Sequence, residues 1–263
     1  MRTDTVSLST IDELFAATLQ GDYDSDAPWE AVIELQRLGT REVLSTAVEW
    51  CDSTVLLKRA RGADVLSQFG KTADHPSINY PDECFAALSG LVSTESEARP
   101  LCSAIYGFGH QGNAKAVHLV IGFCNHPNSE VRFATTFALG CFADLPDAAK
   151  ALLQLSSDSD DDVRDWATFG LGVLGREDSP EIRDALAVRL NDTCNDAREE
   201  AMVGLAKRKD PRVISSLILA LESLPVPDRA IEAASEMLGH QDGWDKELSG
   251  RDYAAALRKE FGT

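Results

Sequence analysis

One twelve-residue phrase returns seven times along this chain. An arginine or its substitute is followed by a small residue three positions later, an aliphatic residue seven later, and an apolar residue then glycine at ten and eleven. The fullest copy is Arg164, Ala167, Leu171, Leu174, Gly175; the others start at Pro28, Arg59, Arg99, Arg132, Arg198 and Asp228. Successive starts lie 31, 40, 33, 32, 34 and 30 residues apart. A period of this size implies stacked supersecondary units, none of which buries its apolar face alone.

Offsets zero, three, seven and ten fall on one face of an α-helix. A second apolar stretch of helical period precedes each copy: Ile11–Leu19, Val43–Trp50, Cys84–Leu91, Ala114–Cys124, Ala148–Leu155, Ile182–Leu190 and Val213–Leu221. Each unit therefore reads as helix, short turn, helix, and no segment shows sustained strand alternation. The expected fold class is all-α, an α-α superhelix (solenoid) of about seven helical hairpins. The hairpins are placed near 8–39, 40–70, 82–110, 113–143, 146–175, 179–209 and 211–239 in one continuous solenoid. A loop insertion occupies 71–82 and a C-terminal capping helix is expected within 244–263.

The turns carry Asp, Asn and Ser, which accept the orphan N–H groups of the helix that follows. Asp160, Asp161 and Asp162 suit the positive end of the helix entered at Val163. Glycine at offset eleven is expected to stop the second helix in the left-handed conformation. Asp158 precedes Arg164 by six residues and Asp192 precedes Arg198 by six. With Arg132, these residues are expected to form a charge-assisted ladder from one repeat to the next, which fixes register. Trp166 and Phe169, at offsets two and five, are expected to fill the joint with a neighbouring repeat.

Catalytic motifs find no footing. Gly107-Phe-Gly-His-Gln-Gly112 and Gly170-Leu-Gly-Val-Leu-Gly175 match a dinucleotide fingerprint, which has meaning only after a strand and at the opening of a helix. Both lie where a second helix ends, so they read as sites of close helix approach. His118, Cys124 and His126 match no zinc spacing. No G-x-S-x-G elbow, P-loop or H-E-x-x-H is present. No catalytic residue, cofactor or metal is expected, and the chain does not read as an enzyme.

Net charge is −18, from 43 acidic against 25 basic residues. Nucleic acid and anionic membrane surfaces are disfavoured, since both demand clustered Lys and Arg. A basic protein partner is favoured by long-range attraction. No apolar run approaches a membrane span, and the first residues lack a signal-peptide core. The cysteines at 51, 84, 102, 124, 141 and 194 form no C-x-x-C pair. Cys102 and Cys124 occupy positions expected to be buried, and free buried thiols suit the cytoplasm. A cytoplasmic monomer is the expectation.

The partner is expected on a concave acidic surface of second helices, at offsets one, four and eight. These offsets supply Trp29 and Val32, Phe133 and Thr136, Asp165 and Thr168, and Glu199 and Met202, with Asp161 and Asp162 at the edge.

The pattern Asp158-x4-Val163-Arg164-x2-Ala167-x3-Leu171-x2-Leu174-Gly175 resembles the HEAT repeat, in which an Asp-containing turn leads to a Val-Arg second helix. That resemblance implies a scaffold. A narrower likeness lies in Val163-Arg-Asp-Trp-Ala-Thr-Phe169, in Glu181-Ile-Arg-Asp-Ala185 and in the segment from Glu199 to Val213. These are similar to a bacterial HEAT-repeat group encoded beside Rhs-type polymorphic toxin elements. What that resemblance implies is an immunity protein occluding a toxin domain, with no catalytic residue to carry over. The chain also resembles the HEAT-like subunits of phycobilin lyases through the shared repeat. The remaining readings are therefore a lyase or chaperone-like subunit acting on a tetrapyrrole, a HEAT-type DNA glycosylase, which a negative concave face would remove, or a general assembly or signalling adaptor.

Overall fold

A computed structural model of the chain describes residues 8–239 and 248–262, and every regular element among them is helical. The chain divides into two compact units, residues 1–138 and 139–263.

The first unit contains α1 (Leu8–Ala17), α2 (Asp26–Leu38), α3 (Arg41–Cys51), α4 (Leu56–Ser67), α5 (Pro81–Thr94), α6 (Ala98–Gln111), α7 (Val117–Val120) and most of α8 (Ser129–Gly140). The second contains α9 (Pro146–Leu155), α10 (Asp161–Phe169), α11 (Pro180–Arg189), α12 (Asn195–Lys207), α13 (Ile214–Leu221), α14 (Asp228–Leu238) and α15 (Gly250–Phe261). Within the first unit the second helices α2, α4 and α6 pack in a row, and α3 packs on α5. In the other unit α10, α12 and α14 form the corresponding row. This is the packing of the α-α superhelix class. The stretch 114–124 is not one helix as expected, because 3₁₀ turns at Ala114–Ala116 and Ile121–Phe123 flank a single α turn.

The repeat phrase builds the core. Ala31, Ala167 and Ala201 at offset three, and Leu35, Leu66, Leu139, Leu171 and Leu205 at offset seven, are all buried. Each such leucine contributes about 1.5–3 kcal/mol over its exposed state. Asp160 caps α10 by accepting the N–H of Val163 at 3.2 Å. Ser249 and Asp252 form a reciprocal capping box at the start of α15, whose Tyr253 and Leu257 are fully buried. The expected cap is thus a helix from 250; residues 244–247 lie outside the described residues.

Offset eleven behaves as expected at Gly39, Gly70 and Gly239, with φ of 54°, 78° and 73°. Lys209 takes the same left-handed conformation, φ 52°, without a glycine. At Gly175 the expectation fails. There φ is −78°, because α10 passes into a π turn over Gly170–Leu174 closed by the Gly175 N–H donating to the Gly170 carbonyl at 2.8 Å. The glycines of that turn serve helix contact: a methyl group added to Gly204 would lie 2.6 Å from the Gly172 Cα.

The loop after Gly70 is tied down. The Asn79 backbone N–H donates to the Phe69 carbonyl at 2.8 Å, its side-chain amide to Gly39 at 3.0 Å, and Lys71 Nζ to the His110 carbonyl at 2.5 Å. It ends at Tyr80, so Asp82 belongs to α5. Among the described residues no helix is long and apolar enough to cross a membrane.

Candidate partner-binding face

The row of second helices in the second unit concentrates the acidity. Asp161 and Asp162 are exposed in the first turn of α10, as are Asp196 on α12 and Asp228 on α14. Asp165, Glu199, Glu200 and Glu232 are half-buried. Arg229 stands among them and reaches Glu200 Oε1 at 2.9 Å and Glu232 Oε2 at 2.7 Å, while Arg164 Nη2 donates to Asp161 at 2.5 Å. Its Cζ lies 5.7 Å from the Phe169 ring, and the Phe169 and Trp166 rings meet edge to face at 5.7 Å. Of the two, Phe169 meets another repeat through Arg229 of α14, and both are half-buried.

The electrostatics of this face are those of crowded, partly desolvated carboxylates. Burial pushes Asp165 up to about 6, helped by Asp196 and Asp162. Burial pushes Glu200 to about 7 against the pull of Arg229, and raises Glu199 as well. Asp165 Oδ1 and Glu200 Oε2 are buried and meet no hydrogen-bond donor among the described residues.

The ladder expected from one repeat to the next is present, and its arginines also bond within their own repeat. In α4, α8, α10 and α12 the first arginine caps the carbonyl six residues before it. Arg59 donates to Ser53 at 3.1 Å, Arg132 to His126 at 2.8 Å, Arg164 to Asp158 at 2.9 Å and Arg198 to Asp192 at 2.6 Å. The carboxylate bond is made to the next repeat: Arg164 grips Asp192 through Nε at 3.0 Å and Nη2 at 2.9 Å. Arg189 adds a third contact at 2.7 Å, and the Arg164 bonds hold Asp192 down at about 2. The Asp158 carboxylate accepts the Asp160 N–H, and its bond to Arg164 runs through its carbonyl. Arg59 and Glu95 form the equivalent rung in the first unit, at 2.5 and 3.2 Å.

Half of the expected surface is buried. Thr168, Thr136, Met202 and Val32, all at offset four, are 0%, 0%, 5% and 0% exposed. Offset four lies one turn beyond offset zero, on the side packed against the neighbouring second helix. There the Thr168 and Thr136 hydroxyls return to the Arg164 and Arg132 carbonyls at 2.7 and 2.8 Å. Trp29, Phe133, Asp165 and Glu199, at offset one, are half-buried. Cys102 is also only half-buried, whereas Cys124 is buried.

Two buried networks carried no sequence signal. In the first unit Arg61, fully buried, donates to the Thr18 and Tyr23 carbonyls at 3.0 and 2.7 Å and to Asp64 at 3.2 Å. The Tyr23 hydroxyl donates to Asp64 at 2.5 Å, and its ring carries the Arg61 and Arg99 guanidiniums 3.7 and 4.2 Å from the centroid. Burial raises Asp64 and Tyr23 together. In the second unit Arg208 donates to the carbonyls of Leu171, Gly172, Gly204, Gly175 and Glu177 at 2.6–3.2 Å. An open cleft of about 850 Å³ also lies in this unit, but the Arg164, Asp192, Arg189, Asp184 and Arg212 side chains lining it are paired with carboxylates or guanidiniums.

Comparison with known proteins places this arrangement. Residues 86–172 match the family of HEAT repeats. Protein YibA of Escherichia coli K12 is 29% identical over 234 residues, spanning 86% of this chain and 80% of YibA. The X-ray structure of E. coli YibA superposes with a TM-score of 0.74 at 25% identity, covering 94% of this chain and 92% of that one. An engineered protein of known structure shares the fold at TM-score 0.53 and 18% identity, covering 88% of this chain and 67% of its own. The chain is HEAT-like in repeat and in fold.

Proposed function

We propose that this chain is a non-enzymatic protein-binding scaffold that acts as an immunity protein, neutralising a basic toxin domain on its acidic second-helix face. The observation that carries the reading is the row α10, α12 and α14. Asp161, Asp162, Asp165, Asp196, Glu199 and Glu200 lie along this row, with Arg229 on Glu200, Arg164 on Asp161 and the aromatic pair Trp166 and Phe169 beside them. Carboxylates that are partly desolvated and rigidly mounted on helices bind cations with less reorganisation than mobile surface acids, and aromatic rings supply contact area at small entropic cost. Toxin domains that cut nucleic acids carry basic surfaces for their substrate, and this face complements such a surface. A standard interface of about 800 Å² per partner is within reach of three helices.

The reading extends to a monomer in a reducing cytoplasm, consistent with free cysteines at all six positions. Nucleic acid and membrane are outside the proposed partners. The deciding experiment is co-expression with the product of the adjacent gene, scored for survival and co-purification. Protection that is lost in an Asp161→Lys/Asp162→Lys/Asp165→Lys variant supports the proposal. Equal survival with and without this chain overturns it.

A further inference from the structure

The rung arginines use one edge of the guanidinium in the same way. Arg59 turns its Nε–Nη2 edge to Glu95 in the turn before α6, at 2.5 and 3.2 Å. Arg164 turns that edge to Asp192 in the turn before α12, at 3.0 and 2.9 Å. Arg198 copies Arg164 in its other bonds. Its Nη1 donates to the Asp192 carbonyl at 2.6 Å, as Arg164 Nη1 does to Asp158. Its Nη2 meets Asn195 three residues before it, as Arg164 Nη2 meets Asp161. Among the described residues, however, no carboxylate bonds to Arg198. Asp158 and Asp192 each stand six residues before the start of a repeat phrase, and Glu222 stands six before the last one, at Asp228. Arg258 of α15 takes the Glu222 carboxylate at 2.7 Å, so the next turn gives Arg198 no acid.

Arg198 is half-buried in the wall of a groove of about 350 Å³, with Glu199 and Met202 of α12, Ser216 and Leu219 of α13, and Pro227 before α14. Met202 is 5% exposed and Leu219 72% exposed, so the groove has an apolar floor and an apolar rim. We propose that this groove takes a glutamate or aspartate side chain of a protein partner. Arg198 holds it as Arg164 holds Asp192, and an apolar neighbour of that residue rests on Leu219. The occupant follows from what the molecule does twice with this edge of an arginine: a forked contact to a carboxylate, whose planar geometry it matches. The net charge of −18 does not oppose this at contact, because salt screens exposed charges beyond about 8–10 Å. Glu199 is the one acid in the lining and makes no ion pair with Arg198, so the groove favours a single carboxylate over a ligand of higher negative charge.

This contact does not draw on the toxin reading, and its failure leaves the acidic face as it stands. The test is titration of the full chain with the capped peptide acetyl-Ala-Leu-Glu-Leu-Ala-amide, followed through the Arg198 Nε–H resonance, which is assigned by its loss in Arg198→Lys. The signal is expected to shift and saturate, and a peptide with Gln in place of Glu is expected to bind about tenfold more weakly. Leu219→Ser, at an exposed position that leaves the fold intact, is expected to weaken the Glu peptide about fivefold. Equal binding of the Glu and Gln peptides overturns the proposal, as does an unmoved Arg198 signal at about 5 mM peptide. Acetate that binds as tightly as the peptide overturns the partner side chain as occupant and leaves an anion site only. Arg198-dependent dimers in sedimentation that the peptide dissociates overturn it in favour of a second copy of the chain.

Discussion

Arg208 shows how one side chain can close a helical joint. Its guanidinium gathers the free carbonyls at the ends of α10 and α12, and at 9% exposure it shares them with little water. Removing it leaves several buried acceptors unmet, each worth about 1–3 kcal/mol. Arg208→Ala is expected to destabilise the second unit by about 2–4 kcal/mol, read from the urea midpoint at unchanged slope. Arg208→Lys recovers little of that loss, since an ammonium cannot span carbonyls spread around a planar fork. Unaltered stability in Arg208→Ala would show that water replaces the fork. Asn79 plays a smaller version of this part, joining its loop to Gly39 through one amide. Asn79→Ala is expected to cost about 1 kcal/mol and to speed hydrogen exchange across residues 71–80 while leaving α10–α14 unchanged.

At the level of helices, the second unit is held by two sets of carboxylates that respond oppositely to acid. Arg164 and Arg212 hold Asp192 and Asp210 down at about 2, below the unfolded value of about 3.9. Their stabilisation is complete above about pH 4 and is lost as pH falls toward 2. Asp165 and Glu200 are displaced upward, so their ionisation opposes folding. That penalty is absent below about pH 4, grows as pH rises through 6 and 7, and is constant beyond. Stability of the second unit is therefore expected to peak near pH 4–5. Denaturation midpoints from pH 3 to 8 check this. Asp192→Asn should flatten the acid limb, and Glu200→Gln the neutral limb. A single plateau from pH 4 to 8 would contradict the arrangement of Asp165 and Glu200.

For the molecule as a whole, a net charge of −18 acts at long range and without regard to detail. Association with a basic partner is expected to be fast at low salt and to slow about tenfold or more as ionic strength rises toward 0.5 M. Stopped-flow rates measured against salt give the slope. Reversing Asp162 should reduce that slope and the rate while sparing the fold, since it is exposed in the first turn of α10. A rate indifferent to salt would remove electrostatic steering from the proposal.

The repeat phrase alone determined the hairpins, their period, the leucine and alanine core and the presence of arginine rungs. All of these depend on helical spacing and on which residues tolerate burial, and both are local. Tertiary packing decided the rest. Arg164 meets the carboxylate of Asp192, one repeat later, because stacking brings the next turn within reach of its fork. Thr168 and Met202 are buried because a neighbouring helix covers a side that the isolated helix leaves open. Arg61, Asp64 and Tyr23 come from three different segments and carry no common spacing, so nothing in the linear chain marks them as one network. The acidity of the second unit was legible as composition, but the lack of a donor for Asp165 Oδ1 and Glu200 Oε2 was not, because it depends on which side chains α12 and α14 place beside them.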